Sequence, residues 1–285
     1  MVDFRKLLDS SGTLVMDGAM GTELQKLGMD DQSCYELCNL TSPQHVRKVH
    51  QSYIDAGSEC LVTNTFQAHP QALQSHEMAN RLSEITHTAI ELARSVAGSQ
   101  RPVLASVGPQ ESPTEKTLGP VIRSVRNADA ILLETWSGGF EQAVDIALSE
   151  EFNLRSLPVC LSLTFLKGKD GKPCLYKSGQ DAKTVADIVR RTGVTALGVN
   201  CGKDIGRNEL RSILSGFRSV TGLPLFVRPN AGTPIQVNGS WHYPHSPHDM
   251  VQWVDDWVSL GVRMIGGCCG TTPAHIQAFS RRVKC

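Results

Sequence analysis

The chain has 285 residues, 40% of them hydrophobic, and 28 Lys+Arg against 28 Asp+Glu give a formal net charge of zero. That balance excludes a basic field for nucleic acid or an anionic membrane surface, and no apolar run approaches the length of a bilayer span. Nine cysteines, an odd count with no apolar signal segment in the opening MVDFRKLLDSSG, point to reduced thiols in a cytoplasmic protein rather than a disulfide framework.

Along the chain a short apolar run ending in polar or glycine residues recurs, each time followed by a helical stretch. The runs are TLVMDG (13–18), ECLVTNTF (59–66), PVLASVGP (102–109) and AILLETW (130–136). PVCLSLTF (158–165), TALGVNCG (195–202), PLFVRPNAG (224–232) and VRMIGGCCG (262–270) complete the set. Helices are predicted over 43–56, 80–97, 138–149, 182–192, 207–218 and 247–260. Continuous apolar runs suit parallel strands buried on both faces beneath covering helices. Eight such units with nothing left over predict an α/β fold, a (β/α)₈ TIM barrel forming a single domain over 1–285. An open doubly wound sheet is the alternative, but no GxGxxG follows the first run. About twenty residues separate SVGP from AILLETW, so the third β/α unit is predicted to be shortened.

In such a barrel the site lies at the C-terminal mouth, built from strand ends. Those ends, in order, are Asp17, Asn64, Glu134, Thr164, Cys201, Asn230 and the adjacent Cys268 and Cys269. A barrel therefore brings three thiols to one rim. Three converging thiolates suit Zn²⁺ and leave a fourth position open, as in catalytic rather than structural sites. Gly266, Gly267 and Gly270 would let the backbone turn so that neighbouring thiols face one ion. Cys60 and Cys160 read as buried strand residues. Cys34, Cys38, Cys174 and Cys285 read as loop or tail residues without an assignable partner, and no second pair accompanies the Cys34–Cys38 spacing to make another metal site. Asp17 and Glu134 each have two readings. Asp17 caps a turn in MDGAMG and Glu134 pairs with a basic side chain across the barrel, or both face the mouth and hold a cationic group of the substrate. Asn64, Thr164 and Asn230 are substrate-contact candidates from the same rim. The WHYPHSPH stretch reads as a loop near the substrate or a structural loop, because its histidines lack metal-ligand spacing.

With these residues assembled, the chain resembles the homocysteine S-methyltransferase family. DGAMGTEL, TNTFQA, LLETW, GVNCG, RPNAG and GGCCGTTPAHI carry the resemblance over nearly the whole length. It implies one zinc ion held by Cys201, Cys268 and Cys269, with the homocysteine thiolate completing the tetrahedron. It also implies that Asp17 and Glu134 contact the homocysteine amino group. The expected partners are homocysteine and a small sulfonium donor, and the expected product is methionine. S-methylmethionine is the first choice of donor and S-adenosylmethionine the second. Thr135 stands where the betaine branch carries tyrosine, and no extension of the betaine-enzyme kind follows the last helix, so betaine ranks behind them. A non-catalytic zinc- or thiol-binding barrel is the alternative of a different class, and a selenol acceptor would satisfy the same metal position.

Overall fold

The computed structural model describes residues 2–10, 12–29, 34–237 and 240–284. Cys285 lies outside them. Each of the eight apolar runs contains a strand: β1 (Leu14–Val15), β2 (Leu61–Val62), β3 (Val103–Val107), β4 (Ala130–Trp136), β5 (Val159–Leu163), β6 (Ala196–Asn200), β7 (Leu225–Arg228) and β8 (Val262–Ile265). They form one eight-stranded sheet in which every pairing is parallel and β8 returns to β1. A parallel bridge between Met16 and Cys60 joins the two ends of the sheet, where the Asp17 N–H donates to the Cys60 carbonyl at 3.1 Å. The result is a barrel.

The runs are continuously apolar because each strand buries both faces, and successive side chains alternate between two environments. Val103, Ala105 and Val107 pack outward under the helices, as do Ile131 and Leu133. Leu104, Ala130 and Leu132 point inward, with Met16, Val62, Cys160, Phe226 and Met264 from the other strands. Both predictions for buried cysteines hold, since Cys60 and Cys160 are fully buried in this interior. Phe4 and Leu8 of a short helix (Phe4–Asp9) pack into the same cluster. The Phe226 ring requires Gly198, where a Cβ would lie 2.4 Å from it.

The covering helices are Pro43–Asp55, Leu82–Ala97, Glu115–Ser124, Phe140–Leu148, Ala182–Val189, Arg207–Arg218, the short pair Pro247–Val251 and Val254–Ser259, and Pro273–Lys284. The third unit is compact but complete. Its helix, Glu115–Ser124, has ten residues and opens with a capping box between Thr114 and Thr117. Two antiparallel hairpins that the strand count did not anticipate stand at the mouth: Phe165–Lys167 with Pro173–Leu175, and Ile235–Val237 with Ser240–His242.

Candidate active site

Two residues beyond the apolar interior, the inward positions turn polar: Ser106 after Leu104, Glu134 after Leu132, Ser162 after Cys160, Asn200 after Gly198 and Arg228 after Phe226. All five are buried. Arg228, 4% exposed, ion-pairs with Asp17 at 3.2 Å and with Glu134 on the opposite side. The remaining carboxylate oxygens are also taken, by the Val62 N–H on Asp17 at 2.7 Å and the Ser106 hydroxyl on Glu134 at 2.6 Å. Burial pushes the Asp17 carboxyl up to about 7 although Arg228 pulls the other way, and burial raises Glu134 as well. Glu134 pairs with a basic side chain across the barrel, Arg228, and also borders the mouth cavity. Asp17 does not cap the MDGAMG turn; its side chain serves Val62 and Arg228. Arg228 itself escaped the sequence reading. Counting two positions on from each inward apolar residue would have found it, together with Asn200, Ser106 and Ser162.

The three thiols meet beside this layer. The Cys201, Cys268 and Cys269 sulfurs lie within 4.8 Å of one another, with Cys201 2.9 Å from Cys268 and 3.9 Å from Cys269. They are free thiols. Among the described residues no other group of His, Cys, Asp or Glu has such a metal-holding arrangement, so Cys34 and Cys38 make no second site. Those two are buried rather than loop-exposed, and the Cys34 thiol donates to Glu36 at 3.3 Å. Cys174 sits half-buried on the first hairpin. Hydrogen bonds from Cys201 and then Cys268 hold the Cys269 thiol well below its usual range, while the same contacts push Cys201 up. A tetrahedral zinc site with sulfurs near 2.3 Å has sulfur–sulfur edges of about 3.8 Å. The Cys201–Cys269 separation already matches such an edge, and the Cys201–Cys268 pair would open to accept an ion.

Of the three glycines expected to turn the chain here, only Gly270 has positive φ, +78°. Gly266 and Gly267 instead permit close approach: a Cβ on Gly267 would lie 2.2 Å from the Thr271 hydroxyl, and one on Gly266 would lie 2.7 Å from the Asp17 carbonyl. The RPNAG and GGCCG loops are stitched together by Cys268 N–H to the Pro229 carbonyl at 2.8 Å and Ala231 N–H to the Cys269 carbonyl at 2.9 Å. Cys201 and Thr135 both adopt positive φ, +51° and +64°, which for a β-branched threonine is a strained conformation. Asn200 holds Thr135 there, accepting its N–H at 3.1 Å and donating to its hydroxyl at 2.6 Å.

The sulfurs, Glu134 and Arg228 line a cavity of about 1410 Å³. Asn64 also borders it, but its amide nitrogen is committed to the Tyr35 carbonyl at 2.7 Å and to Asn39 at 3.1 Å. Thr164 lines a separate cavity, and Asn230 borders neither, donating to the Gly202 carbonyl at 3.3 Å. The WHYPHSPH stretch contributes Trp241, His242, Tyr243 and His245 to the wall of the larger cavity. The Tyr243 ring lies over Gly270, where a Cβ would be 2.0 Å away.

Residues 14–283 match the profile of the family described as homocysteine S-methyltransferase. The chain belongs to this family. It is 31% identical to methionine synthase of Mycobacterium tuberculosis over 97% of its own length, and spans about a quarter of that longer protein, 25%. Homocysteine S-methyltransferase 3 of Arabidopsis thaliana is 29% identical, with 99% of this chain and 92% of that one covered. Among solved structures, the homocysteine methyltransferase MmuM of Escherichia coli in its metallated form superposes with a TM-score of 0.80 at 25% identity, covering 98% of this chain and 99% of that one. Its oxidized form gives a TM-score of 0.77. The family barrel and the three-sulfur rim thus occur together in one chain.

Proposed function

We propose that this chain transfers a methyl group from a sulfonium donor to the thiol of homocysteine, producing methionine. The observation that carries the reading is the convergence of Cys201, Cys268 and Cys269 on one wall of a cavity that Glu134 and Arg228 also line, with Asp17 buried behind it and paired to Arg228. The Arabidopsis and E. coli relatives are homocysteine methyltransferases by name, and the latter has a metallated form.

Zinc is the ion that three sulfur ligands at an open rim suit best, and when bound there it would remove the proton from an acceptor thiol that at a pKa of about 8.5 is otherwise mostly protonated at neutral pH. The protein's own groups do the rest. Glu134 borders the cavity as a carboxylate that a homocysteine ammonium could approach, and Asp17 pairs with the Arg228 beside it. Tyr35, Phe66, Trp241 and Tyr243 line the same cavity, and aromatic faces attract a sulfonium cation. Displacement at the methyl is in line, so the remaining contribution of the cavity is alignment of sulfur, methyl and leaving group. The acceptor sulfur's electron pair forms the new bond, and the pair from the broken bond returns to the donor sulfur.

Among donors, S-methylmethionine ranks first, S-adenosylmethionine second and betaine behind both, because Thr135 rather than a tyrosine follows Glu134. We assign the chain to the cytoplasm on its free thiols; no helix among the described residues is long and apolar enough to cross a membrane. The test is methionine formation by zinc-loaded, reduced protein with the three donors in competition. S-methylmethionine should give the highest specificity constant. Preference for betaine would overturn the donor, and binding of zinc and homocysteine without turnover of any donor would overturn the reaction.

A further inference from the structure

Beside the sulfur cavity lies a second one of about 460 Å³. The two share Thr135 as a common wall, and where Cys201 lines the larger, the next residue, Gly202, lines the smaller. The connection is short: the Asn200 amide nitrogen is 2.6 Å from the Thr135 hydroxyl and 3.8 Å from the Cys268 sulfur. The hydroxyl and the sulfur therefore lie within the sum of those two distances.

The groups around the smaller cavity are complementary to an α-amino acid. Lys177 and Lys203 border it, and neither has an ion-pair partner among the described residues. Glu111, exposed at the same edge, leaves the set with a net positive charge. Gln110 is 6% exposed, its nitrogen donates to the Thr117 carbonyl at 3.3 Å, and its side-chain oxygen is buried without any partner. Gln110 lines the cavity, and the cost of leaving its buried oxygen unpaired would be relieved by a ligand N–H once the side chain turns toward the cavity. Thr164, buried beside it, adds a hydroxyl.

We propose that this cavity binds the α-amino-acid end of the methyl donor, Lys177 and Lys203 taking the carboxylate and Gln110 the ammonium. The sulfonium then reaches past Thr135 toward the three sulfurs. The proposal rests on the methyl-transfer reading above and adds to it a separate seat for the second substrate. The acceptor's headgroup would take the Arg228–Glu134 side of the larger cavity and the donor's headgroup this one. The atoms balance as in any such displacement: S-methylmethionine leaves as methionine, the acceptor thiol becomes the methyl thioether, and its proton goes to solvent.

The experiment compares wild type with the double variant Lys177→Met, Lys203→Met on two donors, S-methylmethionine and trimethylsulfonium, which has the same reacting centre and no amino-acid end. Both lysines are exposed, and circular dichroism checks that the barrel is intact. The KM for S-methylmethionine should rise roughly tenfold or more, as expected for loss of charge-assisted contacts. The KM for homocysteine and the rate with trimethylsulfonium should stay within about twofold. An equal loss with both donors, an unchanged KM for S-methylmethionine, or a raised KM for homocysteine would each overturn the proposal. Should wild type prefer betaine, the donor reading fails by itself. The same variant compared on betaine and tetramethylammonium then decides the cavity, supporting it only if betaine alone is affected.

Discussion

Arg228 separates two buried carboxylates that would otherwise have no cation between them. Removing one member of a buried ion network leaves uncompensated charge and costs about 3–5 kcal/mol. Arg228→Met should therefore destabilise the barrel by about that amount in urea, and raise the KM for homocysteine because Asp17 and Glu134 no longer hold their positions. Arg228→Lys should recover only part, since a point charge cannot fork to two partners on opposite sides. A loss below about 1 kcal/mol for the methionine variant would mean that the acids are protonated and the network is not ionic. His50 is a second buried titratable group, fully enclosed, with neither ring nitrogen hydrogen-bonded among the described residues. Burial lowers its pKa from 6.5 to about 4. The unfolded chain therefore binds the extra proton between those values, and His50 supports the fold fully above about 6.5 and progressively less as pH falls toward 4. The amount at stake is on the order of 3 kcal/mol. His50→Leu should flatten the stability–pH curve relative to wild type over that window. The difference between the two proteins isolates the histidine, because Asp17, raised to about 7, contributes a slope of the opposite sign. Parallel curves would refute the assignment.

At the scale of elements, the hairpin Ile235–Val237 with Ser240–His242 leads directly into Tyr243, whose ring sits on Gly270 beside the cysteine pair. The two loops are therefore packed against each other. Gly270→Ala would put a methyl group into that ring and force a non-glycine residue to φ +78°, a conformational cost of about 1–2 kcal/mol. We expect a stability loss of that size with an unchanged far-ultraviolet circular dichroism spectrum, and methyl transfer reduced by roughly tenfold or more as the cysteine loop shifts. Normal activity with normal stability would mean that the Tyr243 contact does not set the rim. The third unit teaches a related lesson about reading elements. Gly119 and Pro120 lie inside the helix Glu115–Ser124. A Cβ on Gly119 would lie 2.4 Å from the Phe152 ring, so the glycine serves packing rather than a bend.

For the whole molecule, stability and chemistry sit in different places. The apolar interior and the layer beneath the helices hold the barrel, while the sulfurs occupy its rim. Cys201→Ala should reduce bound zinc from about one equivalent to near zero and methionine formation by at least about a hundredfold, with the circular dichroism spectrum unchanged. Small zinc domains behave otherwise because they have no core without the ion. A variant that retains zinc and turns over normally would remove Cys201 from the site, and one that unfolds would make the metal structural.

The eight strands were legible because a strand buried on both faces must be apolar at every position, a signal that survives without any alignment. The meeting of Cys201 with Cys268 and Cys269 followed from that count, since parallel strands in a barrel deliver all their C-terminal ends to one rim. What the linear sequence does not contain is the identity of the neighbour across the barrel. Arg228 looks like the end of an apolar run until Asp17 of one strand end and Glu134 of another are seen on either side of it. Thr164 shares the rim with Asn64, yet the two open into different cavities, because Thr135 is held between the cavities by an asparagine 65 residues away in sequence. Periodicity along a chain determines which face a residue takes. Which side chains meet on that face depends on distances across the barrel, and those exist only once it closes.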